Sequence, residues 1–522
     1  MTPILLPIWI LPEDVGAQHD TTPEDAGTTT GDDTESTTDT TVTEITQPED
    51  TQAEVNTPED VTEADTADTQ PIEPEPSSKK YEVKDGCAEP LEYASAECSL
   101  VDCADNLMCV GDGHCVPAGP FLLGDAKMTY NKPAIADATG GRFAASWYHV
   151  YNDNQGTKQM DIYFQLFSAD GSPVIDAVKL DDDTLIYARS PSMVRMGNGG
   201  FLVIWRAQAG ITSGEIKYMA RVVAPDGTPK DAAFQLNQTA LVSESGLVTN
   251  VDSPFARRLR NSNLALSWMG QSKEKKGNAD VFLRVLNPDG SFLTDELPTG
   301  ADTAEHEGSA VIADTENGGL AIFWTATNNP PKGNKDEPMP AKTTVVKGRI
   351  FDQFAVANGE VFQVTKSEFG YEGMPSAATF ENGEIYVTWK TREKLGTTSE
   401  TAIWGVQLGP DGQDMGKQQL KAGFDPQGYY PFYAPVGTGD NERAFLVWHT
   451  IAPVLDGIYM RRYYKTEDIM DCEITNVSGE LMAGENGVRI MPAIQSFEDG
   501  RTLISWGSSF NGKNRMMVRY LK

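Results

Sequence analysis

The first 78 residues of this 522-residue chain contain no lysine and no arginine. They carry 20 aspartates and glutamates, which leaves 56 acidic against 42 basic residues in the remainder of a chain whose formal charge is −34. Such a balance argues against nucleic acid or an anionic membrane as a partner. No later segment is long and apolar enough to cross a bilayer as a helix, and no stretch keeps a helical period. A G-x-S-x-G elbow, an H-E-x-x-H pair and a phosphate loop are all missing. No C-x-x-C pair is present either, and nothing calls for a metal or a cofactor.

What is present is a repeat. Trp147, Trp205, Trp268, Trp324, Trp389, Trp448 and Trp506 are separated by 58, 63, 56, 65, 59 and 58 residues. A proline stands 14 residues before the tryptophan in five copies (Pro133, Pro191, Pro254, Pro375, Pro492). A glycine stands six residues before it in five (Gly141, Gly199, Gly318, Gly383, Gly500). A fixed period of this kind marks a repeat architecture.

In the second copy, Ser192 to Met196 meets Asn198-Gly199, a hairpin signal because both residues tolerate positive φ. Phe201 to Trp205 is an unbroken apolar run, typical of a strand covered on both faces. Ile216 to Val223 reads as a third strand, and Pro225-Asp226-Gly227 turns it into a fourth around Phe234-Gln235-Leu236. The same turn recurs at Ala169-Asp170-Gly171, Pro288-Asp289-Gly290, Asn358-Gly359 and Pro410-Asp411-Gly412. The sixth copy lacks it and has Glu442 in place of the glycine. A four-stranded sheet with two apolar faces must stack on copies of itself, and closing the stack protects its edges. The expected fold is all-β, a seven-bladed β-propeller over residues 119–522. The last copy ends after its third strand, so Phe121-Leu122-Leu123 is expected to complete it.

The motif resembles a repeat of bacterial secreted and surface proteins, G-G-F-x-V-x-W, then I-Y-x-x-R-x-F, then D-G. It stands here as Gly199 to Trp205 and as Asp161 to Gly171. The resemblance covers about residues 120–522. It implies a propeller scaffold and no common catalytic set. Propeller sialidases are similar only in blade topology, since their S-x-D-x-G-x-T-W box is absent.

Residues 18–80 are rich in Thr, Glu, Asp and Pro, and such a segment cannot bury enough surface to fold. They read as an acidic tether. Residues 1–17 resemble a signal peptide, with an apolar run from Pro3 to Leu11 and Val15-Gly16-Ala17 before Gln18. Residues 81–118 hold Cys87, Cys98, Cys103, Cys109 and Cys115, with Cys472 far away. Their spacing fits a disulfide-stapled module in an oxidising compartment better than a zinc site. The module resembles cysteine-rich segments preceding repeats in secreted proteins of predatory soil bacteria. That likeness favours Cys98–Cys109 with Cys103–Cys115, although spacing alone leaves the connectivity open. Cys87 and Cys472 could then tie the module to the sixth blade, or either could stay free.

The first and third turns of each copy are tight, whereas the second turns and the crossovers are long and varied. Binding residues concentrate on variable loops of a rigid scaffold. The candidate residues at that loop-rich end are Tyr148, His149, Arg206, Lys390 and His449, just past the blade tryptophans. Tyr187, Arg189, Glu305, His306, Tyr371, Glu372, Tyr429 and Tyr430 join them from the crossovers. The blade tryptophans themselves read as core rather than sugar platforms. The expectation is an exported, non-catalytic module that binds an extracellular protein or glycan at or outside the cell surface. The alternative is a carbohydrate-active hydrolase or lyase with carboxylates around the central channel. A deep axial pocket holding two or more inward carboxylates would favour the second.

Overall fold

Every blade tryptophan lies on a strand with an antiparallel partner on each side. In the computed structural model these strands are Phe143–Asn152, Phe201–Gln208, Leu264–Ser272, Leu320–Asn328, Ile385–Leu395, Arg443–Thr450 and Thr502–Phe510. The structure describes residues 81–90, 103–110, 113–123, 133–152, 158–182, 185, 187–209, 215–242, 253–272, 279–300, 305–328, 343–366, 369–395, 398–417, 419–424, 436–438, 442–450, 457–479, 485–510 and 513–521. Among them there is no helix, and the chain is all-β. The expected signal peptide and acidic tether lie outside the described residues.

The second copy shows the pattern. Phe201–Gln208 pairs with Tyr187–Arg195 on one side and Glu215–Val223 on the other, and the short Phe234–Gln235 adds a fourth strand. The other copies repeat this order. In the last copy Phe121–Leu122 supplies the fourth strand, with Phe121 opposite Val518 and Leu122 opposite Met517. The pairing expected between the two ends of the repeat region is therefore present.

The strands are apolar on both faces because neighbouring copies cover both. Val194, Leu202 and Ile204 of the second copy pack with Leu264, Leu266 and Trp268 of the third. The seven blade indoles are 0–3 % exposed. They are core, and truncating one to alanine costs about 3–5 kcal/mol. Five of them, Trp147, Trp268, Trp324, Trp389 and Trp506, bury the indole N–H with no acceptor among the described residues. Shape and apolar area, rather than the polar handle, hold tryptophan there.

The tight turns follow from backbone geometry. Gly227 takes φ +90°, and Asp226 Oδ1 accepts the amide of Thr228 at 2.9 Å. In the sixth copy, which has no D-G turn, Asp468 takes the left-handed position with φ 56°.

The first strands of the copies are Ala134–Asp137, Tyr187–Arg195, Phe255–Arg258, Glu305–Asp314, Tyr371–Thr379, Val436–Thr438 and Glu485–Ser496. Each touches the next in that order, and Glu485–Ser496 touches Ala134–Asp137. Four of them carry a β-bulge. At each bulge a non-glycine residue adopts positive φ: Ser190 (54°), Ser309 (52°), Met374 (56°) and Met491 (51°). Bulges re-aim side chains, and these separate the loop-end half of the strand from its tight-turn half.

The cysteine-rich module belongs to the same compact unit, Pro76–Lys522. Cys87 is bonded to Cys472, and the Cys472 amide donates to the Ala88 carbonyl at 2.9 Å. Ala88 and Tyr464 are fully buried together. Cys103 is bonded to Cys115, and Cys109 is also disulfide-bonded. Cys98, the expected partner of Cys109, lies outside the described residues. Disulfides rather than zinc thus account for the other five cysteines.

Candidate functional site: a cavity among the first strands and the loop-rich end

A cavity of about 410 Å³ opens among the first strands, and all seven contribute to its wall. Small and apolar residues make up part of the lining, among them Ala134, Ala136, Val194, Ala256, Ala377, Gly437 and Ala493. Against that wall stand seven charged groups: Asp137, Arg195, Arg257, Arg258, Arg260, Asp314 and Glu498. The backbone repeat places them. Asp137, Arg195, Arg258 and Asp314 each lie ten residues before a blade tryptophan, at the tight-turn end of the first strand.

The groups form two connected clusters. Arg195 Nη1 donates to Asp137 Oδ2 at 2.5 Å and to Glu498 Oε2 at 2.8 Å. Arg258 Nη2 donates to the other oxygen of Glu498. Glu498 belongs to the turn after the last first strand, so its carboxylate spans three copies. In the second cluster, Arg257 donates from Nε and Nη2 to Asp314 Oδ1 at 3.0 and 2.7 Å. Arg260 Nε donates to Asp314 Oδ2 at 3.1 Å, and its Nη2 to the Phe380 carbonyl at 2.6 Å.

The two carboxyls on Arg195 are pushed in opposite directions. Burial raises Asp137, and the Arg195 charge only partly offsets that. Hydrogen bonding from Arg258 holds Glu498 below the usual carboxylate range. Divergent environments for neighbouring carboxyls are how a fold separates an acid from a base. Asp314 is held low by Arg257 and Arg260 despite its burial.

At the loop-rich end the described candidate residues are buried or half-buried. None of the eleven described candidate residues lines the cavity. Arg206, Glu372, His449 and Tyr187 are buried; Tyr148, His149, Arg189 and Lys390 are half-buried. Tyr429 and Tyr430 lie outside the described residues. His449 Nδ1 accepts the Met491 amide at 3.3 Å, reaching from the sixth copy to the bulge of the seventh. Thr325 Oγ1 accepts the Met374 amide at 2.8 Å, from the fourth copy to the bulge of the fifth. Both acceptors directly follow a blade tryptophan. At least part of this column therefore joins neighbouring copies. Burial lowers His449 to about 3 and Lys390 to about 8. Arg206 Nη2 donates to Gln208 Oε1 at 3.2 Å. His306 Nδ1 accepts the Ala279 amide at 3.2 Å, Glu305 pairs with Lys347 at 2.5 Å, and burial raises Tyr371.

Sequence reasoning passed over the charged cluster at the cavity. Its signal was the column ten before the tryptophan, where charge recurs in an otherwise apolar strand. It also passed over Glu307, buried and raised to about 7, whose Oε2 accepts the Val281 amide at 3.2 Å.

No protein-family model matches the chain, and no curated protein matches it in sequence. Among solved structures, it resembles a protein of unknown function from Dyadobacter fermentans at 10% identity, covering 65% of this chain and 97% of that one, with a TM-score of 0.43. It resembles the GH93 α-L-arabinofuranosidase of Fusarium graminearum, solved with arabinobiose, at 14% identity, 67% and 97% coverage and a TM-score of 0.42. An α-L-arabinanase of Penicillium chrysogenum, also with arabinobiose, follows at 13% identity, 66% and 96% coverage and a TM-score of 0.41. The expectation of a non-catalytic binding module is corrected here. The cavity among the first strands is lined by three carboxylates, Asp137, Asp314 and Glu498, and inward carboxylates were the mark of the alternative.

Proposed function

We propose that this chain is an exported carbohydrate-active enzyme, a glycoside hydrolase or lyase, working at the axial cavity of a closed seven-bladed β-propeller. The unbroken succession of first strands and the Phe121–Leu122 pairing support closure. The disulfides suit an oxidising compartment outside the cytoplasm, and the repeat suits a bacterial surface or secreted protein.

The observation that carries the reading is the shared grip of Arg195 on Asp137 and Glu498. Two oxygens bound to one nitrogen lie within about 5 Å of each other, near the separation typical of retaining glycosidases. In the hydrolytic form, Asp137, whose carboxyl burial pushes up, gives its proton to the glycosidic oxygen as the C–O bond breaks. Glu498, ionised, bonds to the anomeric carbon. Asp137 then takes a proton from the water that releases the sugar.

The test is a panel of plant and microbial polysaccharides incubated with the purified full chain. Reducing ends report hydrolysis, and the ultraviolet absorbance of an unsaturated sugar reports elimination. Activity that vanishes in both Asp137→Asn and Glu498→Gln supports the proposal. Turnover unaffected by either change sinks the assignment of the site.

A further inference from the structure

The axial cluster holds four guanidiniums against three carboxylates, in a chain whose overall charge is −34. Arg257, Arg258 and Arg260 come from one strand and the turn after it, an unusual concentration of positive charge for this composition. Their side chains are each 31 % exposed, so solvent and a ligand can reach them.

The donor inventory is not used up. A guanidinium has five N–H groups. Among the described residues Arg258 spends its Nη2 on Glu498, and its Nε and Nη1 have no acceptor. Arg257 spends Nε and Nη2 on Asp314 and leaves Nη1. Arg260 spends Nε and Nη2 and leaves Nη1. Arg195 Nε is buried with no partner at all among the described residues. Asp314 fixes Arg257 and Arg260 side by side through its two oxygens, while Thr379 Oγ1 donates to the Asp314 carbonyl at 3.0 Å. A pair of guanidiniums held by one carboxylate keeps its remaining N–H groups at the cavity wall. Guanidinium forks match carboxylate and sulfate geometry.

We infer that Arg257, Arg258 and Arg260 form a subsite for an acidic sugar, so that the glycan worked on at this cavity is anionic, bearing uronate or sulfate groups. The inference rests on the proposed glycan-processing role and names its substrate class. Glu498 occupies the Arg195–Arg258 fork in the free protein, with its side chain 55 % exposed. Its carboxylate there stands where a ligand's acidic group could compete for Arg258.

The experiment is calorimetric titration of the full chain with an oligogalacturonate and with a neutral xylo-oligosaccharide of equal length. Each is measured at low and high salt, alongside turnover. The acidic ligand should bind at least tenfold tighter, and its affinity alone should fall with salt, because the contact is between charges. Arg258→Gln, which spares the Asp314 pair, should erase most of that preference. Glu498→Gln should tighten acidic binding several-fold while stopping turnover. Equal affinity for the two ligands, or acidic binding indifferent to both salt and Arg258→Gln, overturns the subsite. If Arg258→Gln does not fold, the salt dependence and the Glu498→Gln affinity decide. An acidic ligand that binds as described but is never cut from any polysaccharide sinks the enzyme reading and leaves the subsite. Cleavage of neutral glycans with no acidic preference does the reverse.

Discussion

The amide of Met491 donates to Nδ1 of His449 across the boundary between the sixth and seventh copies, at 3.3 Å. The donor sits at a bulge whose backbone has left the ladder, so the imidazole replaces the lost strand partner. Thr325 does the same for Met374. His449→Ala should therefore cost about 1–3 kcal/mol, the penalty for stranding a largely buried donor. Chemical denaturation monitored by tryptophan fluorescence measures it. His449→Asn, which keeps an acceptor, should recover most of the loss.

The same residue sets a pH dependence. Its folded pKa is lowered to about 3, chiefly by burial and then by Lys390. The unfolded chain therefore binds more protons between that value and the ordinary histidine range of about 6.5. The contribution is present above about pH 6.5 and is lost as pH falls toward 3. Stability measured from pH 7 down to 4 should decline less steeply in His449→Asn than in the native chain. Parallel curves would rule out His449 as a titrating contributor.

How far the sequence reveals all this depends on which physics sets each feature. Tryptophan spacing, apolar runs and Asp-Gly turns are local, so strands and tight turns such as Pro225-Asp226-Gly227 were legible. The pairing of Phe121 and Leu122 with the last strand was legible because that copy lacked a fourth strand. Positions on the loop-rich end were legible as positions, but their burial was not. Arg206 and His449 follow the tryptophan and look exposed, whereas both are buried, His449 against the bulge of the next copy. The bulges at Ser190, Ser309, Met374 and Met491 carry no glycine to announce positive φ. The Glu498 bridge joins residues 240 and 303 positions apart, a relation that no local pattern encodes.

Asp181 invites a substitution already made elsewhere in the chain. Its Oδ1 accepts the Ile162 amide at 2.6 Å, and its Oδ2 is buried with no partner among the described residues. In the second copy Asn237 holds the equivalent place, taking the Tyr218 amide at 2.8 Å while its Nδ2 reaches the Ile216 and Thr239 carbonyls. Burial raises Asp181 to about 7. A carboxyl raised on folding contributes stability at low pH that is lost as pH rises from about 4 through about 7. Asp181→Asn should thus stabilise the protein at pH 8, by on the order of 2 kcal/mol, and change little at pH 4. A gain at pH 4 equal to that at pH 8 would contradict the mechanism.

The Cys87–Cys472 bond ties a short hairpin to the sheet of the sixth copy across 385 residues of sequence. The bond adds to the Ala88–Tyr464 packing and the Cys472–Ala88 hydrogen bond. Replacing both cysteines by serine should cost about 2–4 kcal/mol and should expose Tyr81–Pro90 to protease. Limited proteolysis read by mass spectrometry gives the order of cleavage. If cuts within the repeats came first, the hairpin would not be the element that the bond secures.

The proposed division of labour at the cavity predicts a pH–rate profile. Activity needs Glu498 ionised and Asp137 protonated at once. Hydrogen bonding from Arg258 keeps Glu498 ionised to lower pH than an ordinary glutamate, while burial keeps Asp137 protonated to higher pH than an ordinary aspartate. The rate should rise through the first value, hold, and fall as pH climbs through the second. Loss of Arg258 should move the acid limb upward and the alkaline limb upward by less, since Arg258 hydrogen-bonds Glu498 but adds only the smallest of the charges acting on Asp137. Asp137→Glu should keep a bell shape, whereas Asp137→Asn should lose the alkaline limb together with most of kcat. Product anomers followed by proton NMR add an independent check: a pair about 5 Å apart gives retention. Inversion would mean that the reacting carboxylates are not Asp137 and Glu498.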